Sequence, residues 1–356
     1  MNELNTFERI RIKASEEETQ RFFARLDQET ENLPGFHILF GHHILLLKFP
    51  DEETAKKNRV FLDLVYTEHE GKPDGTITVW RGKIENYLNI SSRSGRSTCW
   101  EYTGENGFIR FAEWQDRILA YHIQSNRQYI IMNGPLDEYI PIWFPFRMEL
   151  HNFSMSHDYV FVHSGAVGLN GEGVLISSVG GGGKSTTVLS CLLDGFDYVS
   201  DDYLILERRT ATAYPLFNSG ILNEDSLHRL PELKPLIYGH VPKRPNRYII
   251  DLSNYRNQFC HGMKIKAVVY PRLLHTDRPG REALIRKDPL HVGKTQMVIS
   301  SANQNGFDML KDQDALHCLF GAVSDLPSYE MLLSQDRQSN CRALRDLICS
   351  LSKRKQ

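Results

Sequence analysis

The sequence contains no C-x-x-C pair, no H-x-x-x-H or HExxH pattern, and no apolar run of membrane-spanning length. Its six cysteines, Cys99, Cys191, Cys260, Cys318, Cys341 and Cys349, are scattered, which disfavours a zinc site and a disulfide framework and leaves free thiols. Without a long apolar run no helix is expected to span a bilayer, and no membrane partner is expected. The opening stretch MNELNTFERIRIKASEEE lacks the apolar core of a secretory signal, so a cytoplasmic protein is expected. Charge of one sign is missing too: 42 Lys and Arg face 44 Asp and Glu, a net charge of -2. Binding nucleic acid by bulk electrostatics requires clustered cations, and no nucleic-acid partner is expected. The short basic stretches PKRPNR at 242–247 and KRKQ at 353–356 read as a solvated loop and a tail.

What remains is an ordinary globular composition, 41% hydrophobic and 24% charged over 356 residues, long enough for two domains. Residues 1–134 read as an N-terminal, mostly antiparallel β domain, because short apolar runs (FERIRIK, HILFGHHILLLKF, RVFLDLVYTE, TITVW, GFIRFAEW, RILAYHI, QYIIM) alternate with turn-rich breaks. One helix interrupts them at 15–29, where Ser15 and Glu18 have capping-box spacing and Phe22, Phe23 and Leu26 share a face. Residues 133–154 form a proline-punctuated join that runs into a short helix. Residues 135–356 then read as an α/β (α+β) nucleotide-binding domain. In it, DYVFVHSGAVGLNGEGVLIS reads as two strands about the turn LNGEG, and FDYVSDDYLILERR, AYPLFNSGILN, MKIKAVVYPRLL and DLPSYEMLLS as further strands, before a closing helix in SNCRALRDLICSLSK.

The chemistry concentrates in GVLISSVGGGGKSTTVLSCLLDGFDYVSDDYLILE, residues 173–207. Gly183, Lys184 and Ser185 fill the second half of the Walker A pattern G-x-x-x-x-G-K-[ST], while Ser178 stands at its first glycine. The physics tolerates that departure. A chain of backbone N–H groups around a phosphate needs φ angles and close approach that a Cβ obstructs, which glycines 180–183 permit, and the helix start behind them adds its orphan N–H groups. A mere linker needs neither the apolar strand before the glycines nor the apolar helix face, Val188, Leu189, Leu192 and Leu193, after them. Val179, Gly180, Gly181, Gly182, Gly183, Lys184, Ser185 and Thr186 are therefore the expected nucleotide-binding residues, with Lys184 reaching the terminal phosphates and Ser185 a ligand of Mg²⁺. Val179 stands where deviant Walker A loops carry a signature lysine, which disfavours that subclass.

Asp201 and Asp202 follow Lys184 by only 17 and 18 residues. Two carboxylates at a strand end beside a phosphate loop can divide labour, one assisting the metal and one taking the proton of an attacking hydroxyl. The plain alternative is a turn, where aspartate is common.

Taken together, VFVHSGAVG, GVLISSVGGGGKS and LLDGFDYVSDD resemble the HPr kinase/phosphorylases and their relatives, whose P-loop core is shared with phosphoenolpyruvate carboxykinases. His163 lies 21 residues before Lys184, in the spacing of that pattern. The resemblance covers roughly 155–210. It implies Asp202 as the general base, Asp201 near the metal and His163 beside the phosphates; alone, His163 would read as a core residue. It also implies ATP and Mg²⁺ as cofactors and allows a homo-oligomer. After the aspartates this chain departs from the family: YPLFNSGILNEDSLHRLPEL replaces the glycine-rich signature, so Glu224 or Asp225 is left as the candidate metal-binding carboxylate, and Arg247 or Arg272 as the phosphate arginine. HPr is then not the expected acceptor. Relatives that phosphorylate a serine of a precursor peptide, as in lasso-peptide tailoring, fit the N-terminal half better, with the β-rich module adding an extended peptide to a sheet edge. A kinase acting on a serine hydroxyl of a peptide or protein is expected. A small-molecule hydroxyl kinase, or a nucleotide-dependent regulatory switch without substantial turnover, are the alternatives.

Overall fold

A computed structural model describes residues 8–13, 15–87, 98–104, 107–112, 117–134, 141–178, 180–273, 281–305 and 313–353. The chain forms two compact units, residues 1–60 with 66–145, and residues 61–65 with 146–356.

The first unit is built on one nine-stranded sheet, whose spatial order is Glu8–Lys13, Thr98–Gly104, Gly107–Ala112, Arg117–His122, Arg127–Met132, Gly75–Arg81, His43–Lys48, Gly35–Phe40 and Tyr66–Thr67. It is more mixed than the turn-punctuated pattern suggests. Three neighbouring pairs run parallel: Glu8–Lys13 with Thr98–Gly104, His43–Lys48 with Gly75–Arg81, and Gly75–Arg81 with Arg127–Met132. The expected capping box forms, with the Ser15 hydroxyl accepting from Glu18 N and the Glu18 carboxylate accepting from Ser15 N, and it starts helix Glu16–Glu29. Phe23 and Leu26 of that helix are buried against Ile109, Phe111, Ile118, Ala120, Tyr129 and Ile131 of the sheet. The run RVFLDLVYTE is not a strand. Asp51 caps a helix, Glu52–Arg59, by accepting from Thr54 N at 2.7 Å; residues 60–65 then turn, and only Tyr66–Thr67 pairs as strand. The apolar residues of this run serve packing instead: Phe61, fully buried in the second unit, meets the Tyr238 ring edge-on at 4.9 Å.

The second unit carries a nine-stranded mixed sheet, ordered Tyr159–His163, Tyr203–Glu207, Thr212–Tyr214, Met263–Arg272, Glu172–Ile176, Gly165–Leu169 and Asp197–Ser200, with Ser328–Leu332 added to Met263–Arg272 and Leu284–Lys287 to that. A three-stranded sheet of Ser219–Asn223, Arg244–Asp251 and Ile237–Val241 stands beside it in the same unit. The stretch 158–177 makes three strands, not two. Asn170 and Gly171, both at positive φ, turn a tight hairpin between Gly165–Leu169 and Glu172–Ile176. The preceding strand breaks at Ser164, whose hydroxyl donates to the carbonyl oxygens of Gly165 and Ile176. Helices Lys184–Leu193 and Arg337–Lys353 pack on each other and on the central strands, while Val292–Asn305 and Gln313–Val323 cover Tyr159–His163. Val160, Val162, Leu175, Leu204 and Leu206 from the strands close a core with Met297, Val298 and Leu319 from the latter pair. Cys191, Cys260, Cys318, Cys341 and Cys349 are free thiols, and among the described residues no helix is long and apolar enough to cross a membrane.

Candidate functional site

Two strand pairs that break at a common level create the site. Tyr159–His163 pairs antiparallel with Tyr203–Glu207, ending at His163 opposite Tyr203, and Gly165–Leu169 pairs with Asp197–Ser200, starting at Ala166 opposite Ser200. Carried across the gap, this register sets Ser164 and Gly165 opposite Asp202 and Asp201. The two aspartates therefore leave the ladder where the chain bends. The chain bends at Asp201 and Asp202, between strands Asp197–Ser200 and Tyr203–Glu207.

The glycine loop lies next to this gap. Strand Glu172–Ile176 ends in Ser177 and Ser178, both buried, and Gly181 and Gly183 adopt φ of +83° and +94° before helix Lys184–Leu193 begins. At Gly183 the left-handed backbone and the space are both restrictive: a Cβ there would stand 2.6 Å from Leu333 Cδ1. Val179 lies outside the described residues. Gly180 and Gly181 are exposed, Gly182 and Ser185 half-buried, and the Thr186 hydroxyl is 2.8 Å from that of Ser226.

Lys184 leaves the first helical turn with 8% of its surface exposed. Its ammonium donates to Asp202 Oδ1 at 2.6 Å and to the Asp201 carbonyl oxygen. His163 Nε2 lies 2.7 Å from the same Asp202 Oδ1, and Asp202 N donates to Ser200 Oγ at 3.0 Å. Burial alone would raise the Asp202 pKa, but the charge of Lys184 and the contact with His163 together hold it well below the usual carboxylate range. Asp202 is therefore ionised, with Oδ1 doubly held and Oδ2 unengaged by any described residue.

Asp201 is the opposite case. It is 0% exposed, Oδ2 accepts the Ile221 N–H at a long 3.4 Å, and among the described residues Oδ1 is buried without a hydrogen-bond partner. Burial, and next the Asp202 charge, push its pKa up to about 7, with Lys184 and the nearby Ser185 hydroxyl pulling it only partly back. A buried carboxylate oxygen lacking a partner is costly unless something fills the position. Asp201 and Ser185 offer hard oxygen donors of the kind Mg²⁺ takes, so these residues fit such an ion. Glu224 and Asp225 stand exposed at the start of helix Glu224–Arg229, behind the N-cap Asn223. Among the described residues no group of three or more His, Cys, Asp or Glu gathers as a metal site. Of the two candidate arginines, Arg247 is exposed opposite Asn223, and Arg272 is ion-paired with Glu330 at 2.9 Å.

The structure adds residues that sequence reasoning missed. Tyr203 stacks on Phe161 (5.5 Å, 8°) and lies tilted against His163 (5.1 Å, 37°), and its hydroxyl accepts from Arg147 Nη1 at 2.6 Å while donating to Gln304 Oε1 at 3.1 Å. Ser300 and Ser301 of helix Val292–Asn305 both reach His163. Tyr203 is one residue from the aspartates and could have been found by proximity. Arg147, Ser300 and Ser301 carry no local signal.

No family model and no curated protein matches the chain. Among solved structures it is similar to an HPr(Ser) kinase/phosphatase from Coxiella burnetii, at 14% identity and a TM-score of 0.29, over 55% of this chain and 94% of that one. The likeness is distant, and the chemistry of the site rests on its own geometry.

Proposed function

We propose that the protein is an ATP- and Mg²⁺-dependent kinase that transfers the γ-phosphate to a hydroxyl, a serine of a peptide or protein. The observation that carries the reading is the state of Asp202: ionised, fixed through Oδ1 by Lys184 and His163, and next to a glycine turn that opens a helix. The second oxygen of Asp202 is the one left to take the acceptor proton, and its basicity rises when Lys184 moves from Asp202 to the phosphates. In the reaction the acceptor oxygen forms a bond to the γ-phosphorus, the bond from phosphorus to the bridging oxygen of ADP breaks, and the hydroxyl proton passes to Asp202. Lys184 neutralises the terminal phosphates, exchanging its bond to Asp202 for them, and the backbone N–H groups at the start of helix Lys184–Leu193 supply further positive potential. Asp201 and Ser185 would hold Mg²⁺, which supplies charge neutralisation on the phosphates.

Intact-mass spectrometry tests the proposal. The protein is incubated with ATP and Mg²⁺ and a small-peptide extract, beside Asp202→Asn. A peptide gaining one phosphate with the wild type and not with the variant, while both bind nucleotide, supports the kinase. Nucleotide binding that depends on Lys184 with no peptide modified would sink the peptide acceptor and leave a small-molecule acceptor or a switch. A switch would keep its nucleotide-dependent partner in Asp202→Asn.

A further inference from the structure

Helix Val292–Asn305 crosses the end of strand Tyr159–His163 so that two consecutive serines grip one residue. The His163 backbone N–H donates to Ser301 Oγ at 2.9 Å, and Ser300 Oγ is hydrogen-bonded to His163 Nδ1. The opposite ring nitrogen, Nε2, reaches Asp202 Oδ1 at 2.7 Å. The imidazole is thus clamped between a hydroxyl and a carboxylate, with the Tyr203 ring 5.1 Å away against its face.

The hydrogen positions follow from what each group can do. An ionised carboxylate only accepts, so Nε2 must carry a proton to bond Asp202. In a neutral ring Nδ1 then offers only a lone pair, and the Ser300 hydroxyl must be the donor. Among the described residues the Ser300 hydroxyl makes no other hydrogen bond, so its single proton is free for this one. We infer that Ser300 is a positioning residue that fixes His163 as the neutral Nε2–H tautomer and thereby makes it a permanent hydrogen-bond donor to Asp202. The other tautomer would turn a lone pair toward the carboxylate and repel it, moving Asp202 off the position where Lys184 also holds it. Burial and the Lys184 charge lower the His163 pKa more than the Asp202 carboxylate raises it, in keeping with a neutral ring.

The catalytic side of this inference rests on the kinase reading, whereas the tautomer does not, so its test begins without nucleotide. The full chain is labelled with ¹⁵N-histidine, and long-range ¹H–¹⁵N correlation at neutral pH reads both ring nitrogens of each histidine, with His163 assigned by its loss in His163→Asn. Wild type is expected to show a protonated Nε2 and an unprotonated Nδ1. Ser300→Ala is expected to move both shifts toward the average of the two tautomers, and Ser300→Thr, which restores a hydroxyl, to return them. An Nδ1–H tautomer in the wild type, or Ser300→Ala shifts indistinguishable from wild type, overturns the inference. Where phosphotransfer is observed, Ser300→Ala should lower kcat on the order of tenfold with the KM for ATP unchanged, and Ser300→Thr should recover it. If no acceptor is phosphorylated at all, the kinase reading fails while the tautomer shifts still decide the role of Ser300.

Discussion

Asp201→Asn is expected to stabilise the ligand-free protein at neutral and alkaline pH, although it removes a candidate metal ligand. The carboxyl is fully buried, its Oδ1 has no hydrogen-bond partner among the described residues, and burial with the neighbouring Asp202 charge raises its pKa from 3.8 to about 7. Between those two values the folded chain retains a proton that the unfolded chain has released, so stability falls as pH rises through this window and the full penalty is present above it. Each pKa unit is worth about 1.4 kcal/mol. A shift of roughly three units therefore sets a ceiling of about 4 kcal/mol, reduced in practice because Asp201 and Asp202 titrate as a pair. Asp202 works in the other direction: its depressed pKa stabilises the fold above the ordinary carboxylate range, and that contribution is lost on acidification. Asparagine keeps the shape and the acceptor for Ile221 N while removing the buried charge. Urea unfolding of wild type and variant, without metal or nucleotide from pH 4 to 8, should show no gap near pH 4 and a gap favouring the variant that widens to about 2 kcal/mol or more by pH 8. Addition of Mg²⁺ and nucleotide should then stabilise wild type more than the variant. A gap independent of pH, or one favouring wild type at pH 8 without ligand, would refute the assignment of Asp201 as a strained, cation-seeking carboxyl.

Lys184→Met should destabilise the ligand-free protein by about 3 kcal/mol, because it strands the Asp202 charge behind a buried pair; the double variant with Asp202→Asn should recover most of this in a denaturation cycle, and an additive cycle would contradict the pairing. Gly183→Ala should cost about 1–2 kcal/mol in backbone strain at φ of +94°, plus the displacement of Leu333. Adding Leu333→Ala should relieve only the clash. Gly180→Ala, where a Cβ meets nothing within 4 Å, should leave the melting temperature within a degree or two, so equal losses at 180 and 183 would argue against this loop geometry.

How much of this was legible depended on whether the cause was local. The capping box at Ser15, the tight turn at Asn170–Gly171 and the amphipathic closing helix are decided within a few residues, and their residue types announce them. RVFLDLVYTE misleads because an apolar run states only that it will be buried: Asp51 already starts a helix before it, and Phe61 is buried in the second unit instead of pairing in the first unit's sheet. The break at Ser164 was illegible for a related reason. Nothing in HSGAV separates one long strand from two short ones until its partner breaks at Asp201–Asp202 on the same level.

The site divides in the same way. Lys184, Asp201 and Asp202 are close in sequence because one helix and one strand return the chain to the glycine loop, so their association could be read from spacing. Ser300 lies 137 residues from His163 and Arg147 lies 56 from Tyr203, and both arrive on helices whose own patterns report only a buried face. Their contribution is of a different kind as well. The local set supplies charge and hydrogen-bonding groups that any phosphate site needs, and chemistry restricts their residue types. The distant set orients those groups, a task that a hydroxyl or a guanidinium can perform from many places in a fold. Sequence motifs therefore expose the groups that carry charge more readily than those that contact them from a distance, and here the distant contacts come from two helices, Arg147–Met155 and Val292–Asn305.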